Sequence, residues 1–431
     1  MSAQSSLTVS STHPPLTFAG VLSGASSAAA PRRLPLREHQ MVHGVPLPAK
    51  KAHRHLDDAV AVLQHGVVKG RGGANFPFAI KLESTAGARG NPLVVVNAAE
   101  GEPASAKDLG LLLLAPHLVL DGAITSARLL KCKEIVVWLH HGSPALASLE
   151  AAIGERRSDS DVTIRIAQAP DRFVSGQVTS VVQGLSGGTA LPYSLRFQPS
   201  IKGVKGRPTL VSNAETYALV ALTLQHREAA HGRLLTTVMN TDGQRHIVET
   251  VKGTPVSSVL SAAGVDATGA PLLVGGYAGS WITSDQIQHA TADDFVLRDP
   301  AVRLGVALFA VADPQWCPVV VTAQIASWLA GQSAGQCGPC TFGLPAIADA
   351  LSRLAKSRPA TTDRANLDRW LPLVRGRGAC AHPDGTAGLV ASLLVAYGTH
   401  LNDHAAGKGC HRGAATAWPA LRSAISGVRS R

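Results

Sequence analysis

The chain of 431 residues is 45% hydrophobic and 16% charged, the balance of a globular protein of roughly three domains. No apolar run reaches the roughly 18 residues that span a bilayer; the longest, 111–120 and 389–397, suit buried core helices. The net charge of +11 comes from scattered basic residues with neither zinc-finger spacing nor an aromatic RNA-stacking motif, which argues against nucleic acid and leaves an acidic protein partner, such as a small electron carrier, or plain solubility.

Residues 2–30 are rich in Ser and Ala, with no basic residue ahead of the apolar stretch, so they are not read as a signal peptide. A flexible arm and a lead-in helix are expected over 1–58. A reducing, cytoplasmic compartment is the corresponding expectation, and the six cysteines are not expected to pair. His39, His43, His53 and His55 match no metal spacing and are expected on a solvated helix face.

Three β-branched runs follow at 92–97, 134–139 and 162–167. A helical segment over 118–130 separates the first two, which predicts a parallel α/β sheet with ligand-binding loops at the carboxyl ends of its strands. This unit is assigned to 59–234. From Leu235 the turn signals Thr241-Asp242-Gly243, Lys252-Gly253-Thr254 and Gly275-Gly276 predict a small β-rich unit over 235–315. Beyond Pro318 the apolar residues Leu344, Ile347, Leu351 and Leu354, then Val390, Leu393, Leu394 and Tyr397, recur at three and four. That predicts a helical bundle with a C-terminal tail over 316–431.

Four motifs carry candidate chemistry. In Gly70-Arg71-Gly72-Gly73-Ala74-Asn75-Phe76-Pro77, followed by Lys81, glycines let backbone N–H groups approach an anion, and Arg71 and Lys81 add charge. An ordinary tight turn is the competing reading. Asn97-Ala98-Ala99-Glu100-Gly101-Glu102-Pro103, with Lys107-Asp108 just after, leaves the first strand at its carboxyl end, either toward a ligand or as an acidic helix cap. In Pro208-Thr209-Leu210-Val211-Ser212-Asn213-Ala214-Glu215-Thr216, Asn213 and Thr216 suit a ligand or a helix cap equally. Cys337-Gly338-Pro339-Cys340 with the distant Cys380 suits zinc or an iron–sulfur cluster.

Taken in order, these motifs resemble the NuoF-like family, the flavin- and iron–sulfur-bearing subunit of NADH dehydrogenases and of related NAD-linked hydrogenases and formate dehydrogenases. GRGGANFP with Lys81, NAAEGEPASAKD, GQVT at 176–179, PTLVSNAET and QSAGQCGPC with Cys380 follow the family's order and spacing from about residue 60 to 385. The resemblance implies an α/β architecture: a Rossmann-like flavin-binding domain, then a β-grasp domain of the soluble-ligand-binding (SLBB) type around Val274-Gly275-Gly276-Tyr277-Ala278-Gly279, then a helical iron–sulfur domain. It also implies FMN held by Gly70, Arg71, Gly72, Gly73, Lys81, Asn97, Glu100, Gly176, Asn213 and Thr216. A cluster on Cys337, Cys340 and Cys380, and electron transfer to a ferredoxin-like or membrane reductase partner, complete the implication. The membrane contact would then be peripheral, at the cytoplasmic face.

The sequence departs from the family pattern at four places. Ala99 stands where the family has Asp. Gln177 and Val178 replace a glutamate pair whose second member meets the nicotinamide nucleotide, and Leu195 and Gln198 replace the Lys and Phe that flank it. The NADH site is therefore more altered than the FMN site. Ala334 replaces the first cysteine of the cluster motif, leaving three thiolates for a [3Fe–4S] cluster or for a [4Fe–4S] cluster with another fourth ligand. Cys317 and Cys410 are the candidates for that place, and Cys132 is expected as a plain thiol. The competing readings are a redox-silent interaction subunit that retains the fold and a working NADH dehydrogenase with a rearranged nucleotide pocket.

Overall fold

The computed structural model describes residues 8–11, 20–23, 25, 32–50, 52–159, 161–193, 198–226, 231–408 and 410. Four parallel strands form one sheet in the order Thr163–Ala169, Glu134–His140, Leu93–Asn97, Thr209–Asn213. The inner strand reads as a continuous apolar run because both of its faces are covered. Val94 and Val96 enter one core, and Leu93 and Val95 enter the core on the opposite face.

The helix expected at 118–130 is Pro116–Leu129, which begins on proline, a residue whose missing N–H costs nothing in the first turn. It packs against Ala214–His226 at Gly122, where an added Cβ would lie 1.9 Å from the Tyr217 carbonyl oxygen. Only glycine permits that approach. At the carboxyl edge of the sheet, Asn97 and Asn213 are register partners on adjacent strands, so two motifs far apart in sequence end side by side.

The second sheet has six strands in the order Thr8–Ser11, Arg245–Val251, Arg233–Met239, Leu308–Val311, Leu272–Val274, Ser280–Ile282. Arg233–Met239 and Leu308–Val311 run parallel, each flanked by an antiparallel neighbour. The helix Val256–Ala262 buries Val256, Val259 and Leu260 in this unit's core. Residues 8–11, expected within the flexible arm, instead add a parallel edge strand to Arg245–Val251. The backbone amides of Val21 and Leu22 donate to the Glu249 carboxylate at 2.8 and 3.2 Å. Their partners lie more than two hundred residues away, beyond any local pattern. The rest of the arm before residue 20 and the tail from 411 lie outside the described residues.

The C-terminal helices Pro318–Gly331, Leu344–Ala355, Asp363–Val374, His382–Ala396 and Gly398–Ala405 close on one core containing Leu344, Ile347, Leu351, Leu354, Val390 and Leu393. Among the described residues no single helix is long and apolar enough to cross a membrane.

One expectation is corrected. His53 and His55 are exposed, but His39 and His43, on the helix Leu36–His43, are fully buried. A buried imidazole needs a polar partner, and Asp121 supplies one to His39 Nε2 at 2.7 Å.

Candidate functional site: a flavin-type loop and a cysteine trio

The glycine-rich loop closes on itself through the Gly70 amide, which donates to the Phe76 carbonyl at 2.8 Å. Gly73 sits at φ +95°, a conformation in which a side chain is strained. Gly72 lies over Asn213, where an added Cβ would be 3.9 Å from the Asn213 Cβ. The Arg71 amide donates to Thr216 Oγ1 at 3.0 Å and its guanidinium to the Arg233 carbonyl at 3.0 Å. On the far side Lys69 Nζ meets Asp294 at 2.7 Å, so the loop is pinned between the parallel sheet and the β-rich unit. Lys81, on the helix Phe78–Gly87, reaches the Val211 carbonyl at 3.3 Å. Burial alone pulls its pKa below the ordinary lysine value.

Asn213 caps the helix that follows it: its side-chain oxygen accepts from the Thr216 amide at 3.1 Å and from the Thr216 hydroxyl. Its Nδ2 donates to Asp108 Oδ2 at 3.1 Å. Asn97 Nδ2 donates to the Gly176 carbonyl at 2.7 Å. Gly176 is itself held against Ala99, whose carbonyl oxygen would lie 2.4 Å from an added Cβ, which explains the glycine.

Beneath these residues lies a buried ion network that the motif reading did not single out. Lys107 Nζ contacts Asp108 Oδ1 at 2.8 Å and Glu215 Oε2 at 3.0 Å, and Arg71 Nε lies 3.9 Å from Glu215 Oε1. Burial opposes the charge on Lys107, but Asp108, Glu215 and Glu100 outweigh it and raise its pKa above the usual lysine range. Glu100 accepts from the Ser105 hydroxyl at 2.5 Å and from the Leu109 amide at 3.3 Å, capping the helix Lys107–Leu114. Burial, with Asp108 nearby, pushes its pKa up to about 7. Glu102 accepts from the Tyr277 and Ala104 amides at 2.8 and 3.3 Å, and burial pushes it up to about 8. The signal was present in the sequence, because Lys107, Asp108 and Glu215 lie inside the motifs; their mutual contact is a product of the fold.

Cys337, Cys340 and Cys380 converge. Cys340 is pushed up to about 12 by burial and by the two neighbouring sulfurs, Cys337 and Cys380. The Gln177 side chain lies beside Cys380 and favours its thiolate, against the burial that raises its pKa. Phe173, three residues before Gly176, stacks edge-on against Trp328 and meets the ring of His382; its amide donates to Gln332 Oε1 at 3.1 Å. The segment 173–177 therefore bridges the end of the parallel sheet and the cysteine trio. Cys317 and Cys410, expected as rescue ligands for the trio, instead face each other and two histidines. Cys132 is a buried thiol bonded to the Pro92 and Glu134 carbonyls, as a plain thiol should be. Leu195 lies outside the described residues.

The residues fit the two groups that the resemblance implies. Among the described residues Lys81 has no carboxylate partner, and the buried Arg71 Nε and Ser212 Oγ lack hydrogen-bond partners. These are donors that an anionic, many-acceptor cofactor would satisfy. Cys337 and Cys380 oppose the ionisation of the Cys340 thiol, a penalty that a bound iron–sulfur cluster relieves because its irons hold thiolates. Ala334 offers no ligand atom.

Residues 63–222 match the Nuo51 FMN-binding domain, and residues 320–404 match the NADH-ubiquinone oxidoreductase-F iron-sulfur binding region. The chain is 24% identical over 379 residues to the NuoF protein of the NADH-quinone oxidoreductase of Streptomyces coelicolor, covering 82% of this chain and 84% of that protein. It is 26% identical over 372 residues to the corresponding NADH-quinone oxidoreductase protein of Buchnera aphidicola, covering 79% and 83%. Among solved structures, a chain of the NAD+-reducing [NiFe]-hydrogenase in the H2-reduced state superposes with a TM-score of 0.75 at 24% identity. That likeness covers 93% of this chain and 71% of the hydrogenase chain and shows a shared fold.

Proposed function

The chain is a divergent member of the NuoF-like family, and from that premise we propose that it is a flavo-iron–sulfur electron-transfer subunit, accepting electrons at an FMN site and passing them through an iron–sulfur cluster to a partner protein. FMN, when bound, supplies the exchange between two-electron and one-electron transfer. Gly70, Gly72, Gly73, Arg71 and Lys81 would hold it from the loop side, with Asn97, Gly176, Asn213 and Thr216 shaping the strand-end side and Glu100 setting the adjacent helix. Cys337, Cys340 and Cys380 would hold the cluster.

The observation that carries this reading is the single peptide step from Gly176 to Gln177. The Gly176 carbonyl is fixed by Asn97 at the end of the parallel sheet, and the side chain of the next residue lies beside Cys380. The two sites therefore share a wall of one segment, as electron exchange over a short distance requires. Domain bounds of 59–234 for the FMN-binding domain, 235–315 for the central unit and 316–431 for the cluster-binding bundle are supported by the two distinct sheets, by a core drawn only from residues 234–311, and by the C-terminal run of helices. In the central unit, a parallel inner pair with antiparallel neighbours and one covering helix supports the β-grasp reading.

The electron donor is inferred to differ from NADH. Gln177 and Val178 remove the acidic pair, and Val178 is exposed at the start of its helix, where it offers a nucleotide no hydrogen bond. The acceptor is a ferredoxin-like carrier or a membrane reductase, and the charge of +11 favours an acidic docking face.

Absorption spectra of anaerobically purified protein, with flavin and iron quantified on the same sample, test the proposal. Flavin bands over a broad shoulder near roughly 400 nm, with about three or four irons per chain, are expected. Protein with neither flavin nor iron would favour the redox-silent interaction subunit, for which Ala334 and the lost acidic pair are the specific support. Bleaching of the flavin by NADH would refute the inference about the donor alone.

A further inference from the structure

Away from the cysteine trio, four side chains on three segments converge. Cys317 stands immediately before the helix Pro318–Gly331. His400 and His404 are one turn apart on the helix Gly398–Ala405, and Cys410 follows that helix. One ligand atom from each lies within 4.8 Å of every other. Cys317 Sγ is 3.2 Å from His400 Nε2 and 3.3 Å from His404 Nε2, and Cys410 Sγ is 3.4 Å from His400 Nε2.

We propose that Cys317, His400, His404 and Cys410 form a mononuclear, structural zinc site, distinct from the iron–sulfur trio. The distances decide the nuclearity. A tetrahedral ion with Zn–S bonds of about 2.3 Å and Zn–N bonds of about 2.0 Å sets its sulfur and nitrogen ligands roughly 3.5 Å apart, which is the spacing observed. A two-iron cluster of the Rieske type, the other Cys2His2 centre, would put the sulfur pair and the nitrogen pair on opposite irons. Here His400 Nε2 sits close to both sulfurs, so the four atoms surround one point.

The outer shell is built in the same sense. His404 Nδ1 donates to the Leu354 carbonyl at 2.9 Å, which leaves the Nε2 lone pair aimed at the Cys317 sulfur. A ligating imidazole is normally fixed by such a bond. Cys317 precedes the first turn of the helix Pro318–Gly331, where the positive end of the helix dipole favours a thiolate. Cys317 and His404 are buried, while His400 and Cys410 are half-buried. Two thiolates and two imidazoles favour zinc among the common divalent ions. With all four positions taken by protein, no place is left for water or substrate, so the role is structural. The ion would tie the end of the bundle, at 398–410, to the start of its first helix.

The test is metal analysis of the full chain purified without metal-affinity chromatography, together with zinc-edge X-ray absorption. About one zinc per chain in a shell of two sulfurs and two nitrogens is expected. In the double variant His400→Gln with Cys410→Ser, zinc is lost while iron and flavin stay at wild-type levels. Wild-type protein without zinc, or with a Cys317–Cys410 disulfide found by non-reducing peptide mapping, would overturn the proposal. So would zinc in a sulfur-only shell, or zinc that survives the double variant. The absorption measurement on unmodified protein stands even if the variant fails to fold, and none of these outcomes depends on the flavin reading.

Discussion

The Gln177 side chain lies beside the sulfur of Cys380 and favours its thiolate, although the two are some two hundred residues apart in the chain. The family resemblance places a glutamate at the Gln177 position, and a carboxylate there would set a negative charge beside a thiolate. The amide has an N–H to donate instead. Hydrogen bonds to cluster sulfurs are one of the levers that set a reduction potential. Gln177→Leu is therefore expected to lower the potential of the cluster while leaving iron per chain unchanged, read by a redox titration followed by electron paramagnetic resonance. An unchanged potential with unchanged iron would remove Gln177 from the electron path.

Lys81 is the loop cation with a carbonyl as its hydrogen-bond partner and, among the described residues, no carboxylate beside it. A charged hydrogen bond contributes about 1.5–3 kcal/mol, so Lys81→Met should weaken FMN binding by roughly 10- to 100-fold. Quenching of FMN fluorescence on titration with cofactor-stripped protein checks this. Equal affinity in the variant would mean that the ammonium serves the fold rather than the flavin.

Stability should fall on acidification through the buried histidines. Arg156 Nε donates to His117 Nδ1 at 3.1 Å, and His117 Nε2 meets Glu155 at 3.0 Å, so the ring is held neutral. Burial, then the Arg156 charge, lowers His117 to about 4; burial, then His39, lowers His43 to about 4. A histidine whose folded pKa is depressed stabilises fully above its unfolded pKa near 6.5 and loses that stability as pH falls toward 4. Urea midpoints measured from pH 7 to pH 4.5 should decline across this window. The decline should be shallower in His43→Asn, which removes one of the two titrating rings.

Glu102 gives the opposite slope. Burial raises its folded pKa to about 8, so its contribution is complete below the unfolded value near 4.5 and is lost as pH rises through about 8. Glu102→Gln cannot ionise and keeps one carbonyl acceptor, for the closer amide of Tyr277, at the cost of the weaker bond from Ala104. The variant should therefore unfold at higher urea concentration than wild type at pH 8.5 and show little difference at pH 5. Equal slopes in the two proteins would mean that Glu102 titrates normally.

The sequence by itself determined the mixed α/β class, with a parallel sheet and helices, because its signals are local: a β-branched run bounded by polar turns, an apolar residue every third or fourth position, glycines where the backbone must come close. It also singled out Gly70, Lys81, Asn97, Asn213 and the cysteine trio as candidates, since each lies in a short motif with its own spacing. What it left open was which of two local roles Asn213 takes, and the fold shows the helix cap. It misjudged His39 and His43, which are buried; the hydrogen-bond partner of His39 is Asp121, eighty-two residues away. It also offered Cys317 and Cys410 to the wrong group, because the partner of Cys317 is His404, eighty-seven residues away. Such pairings follow from how helices pack, and nothing in the local spacing of either residue encodes which distant side chain will face it; only the tertiary structure could decide them.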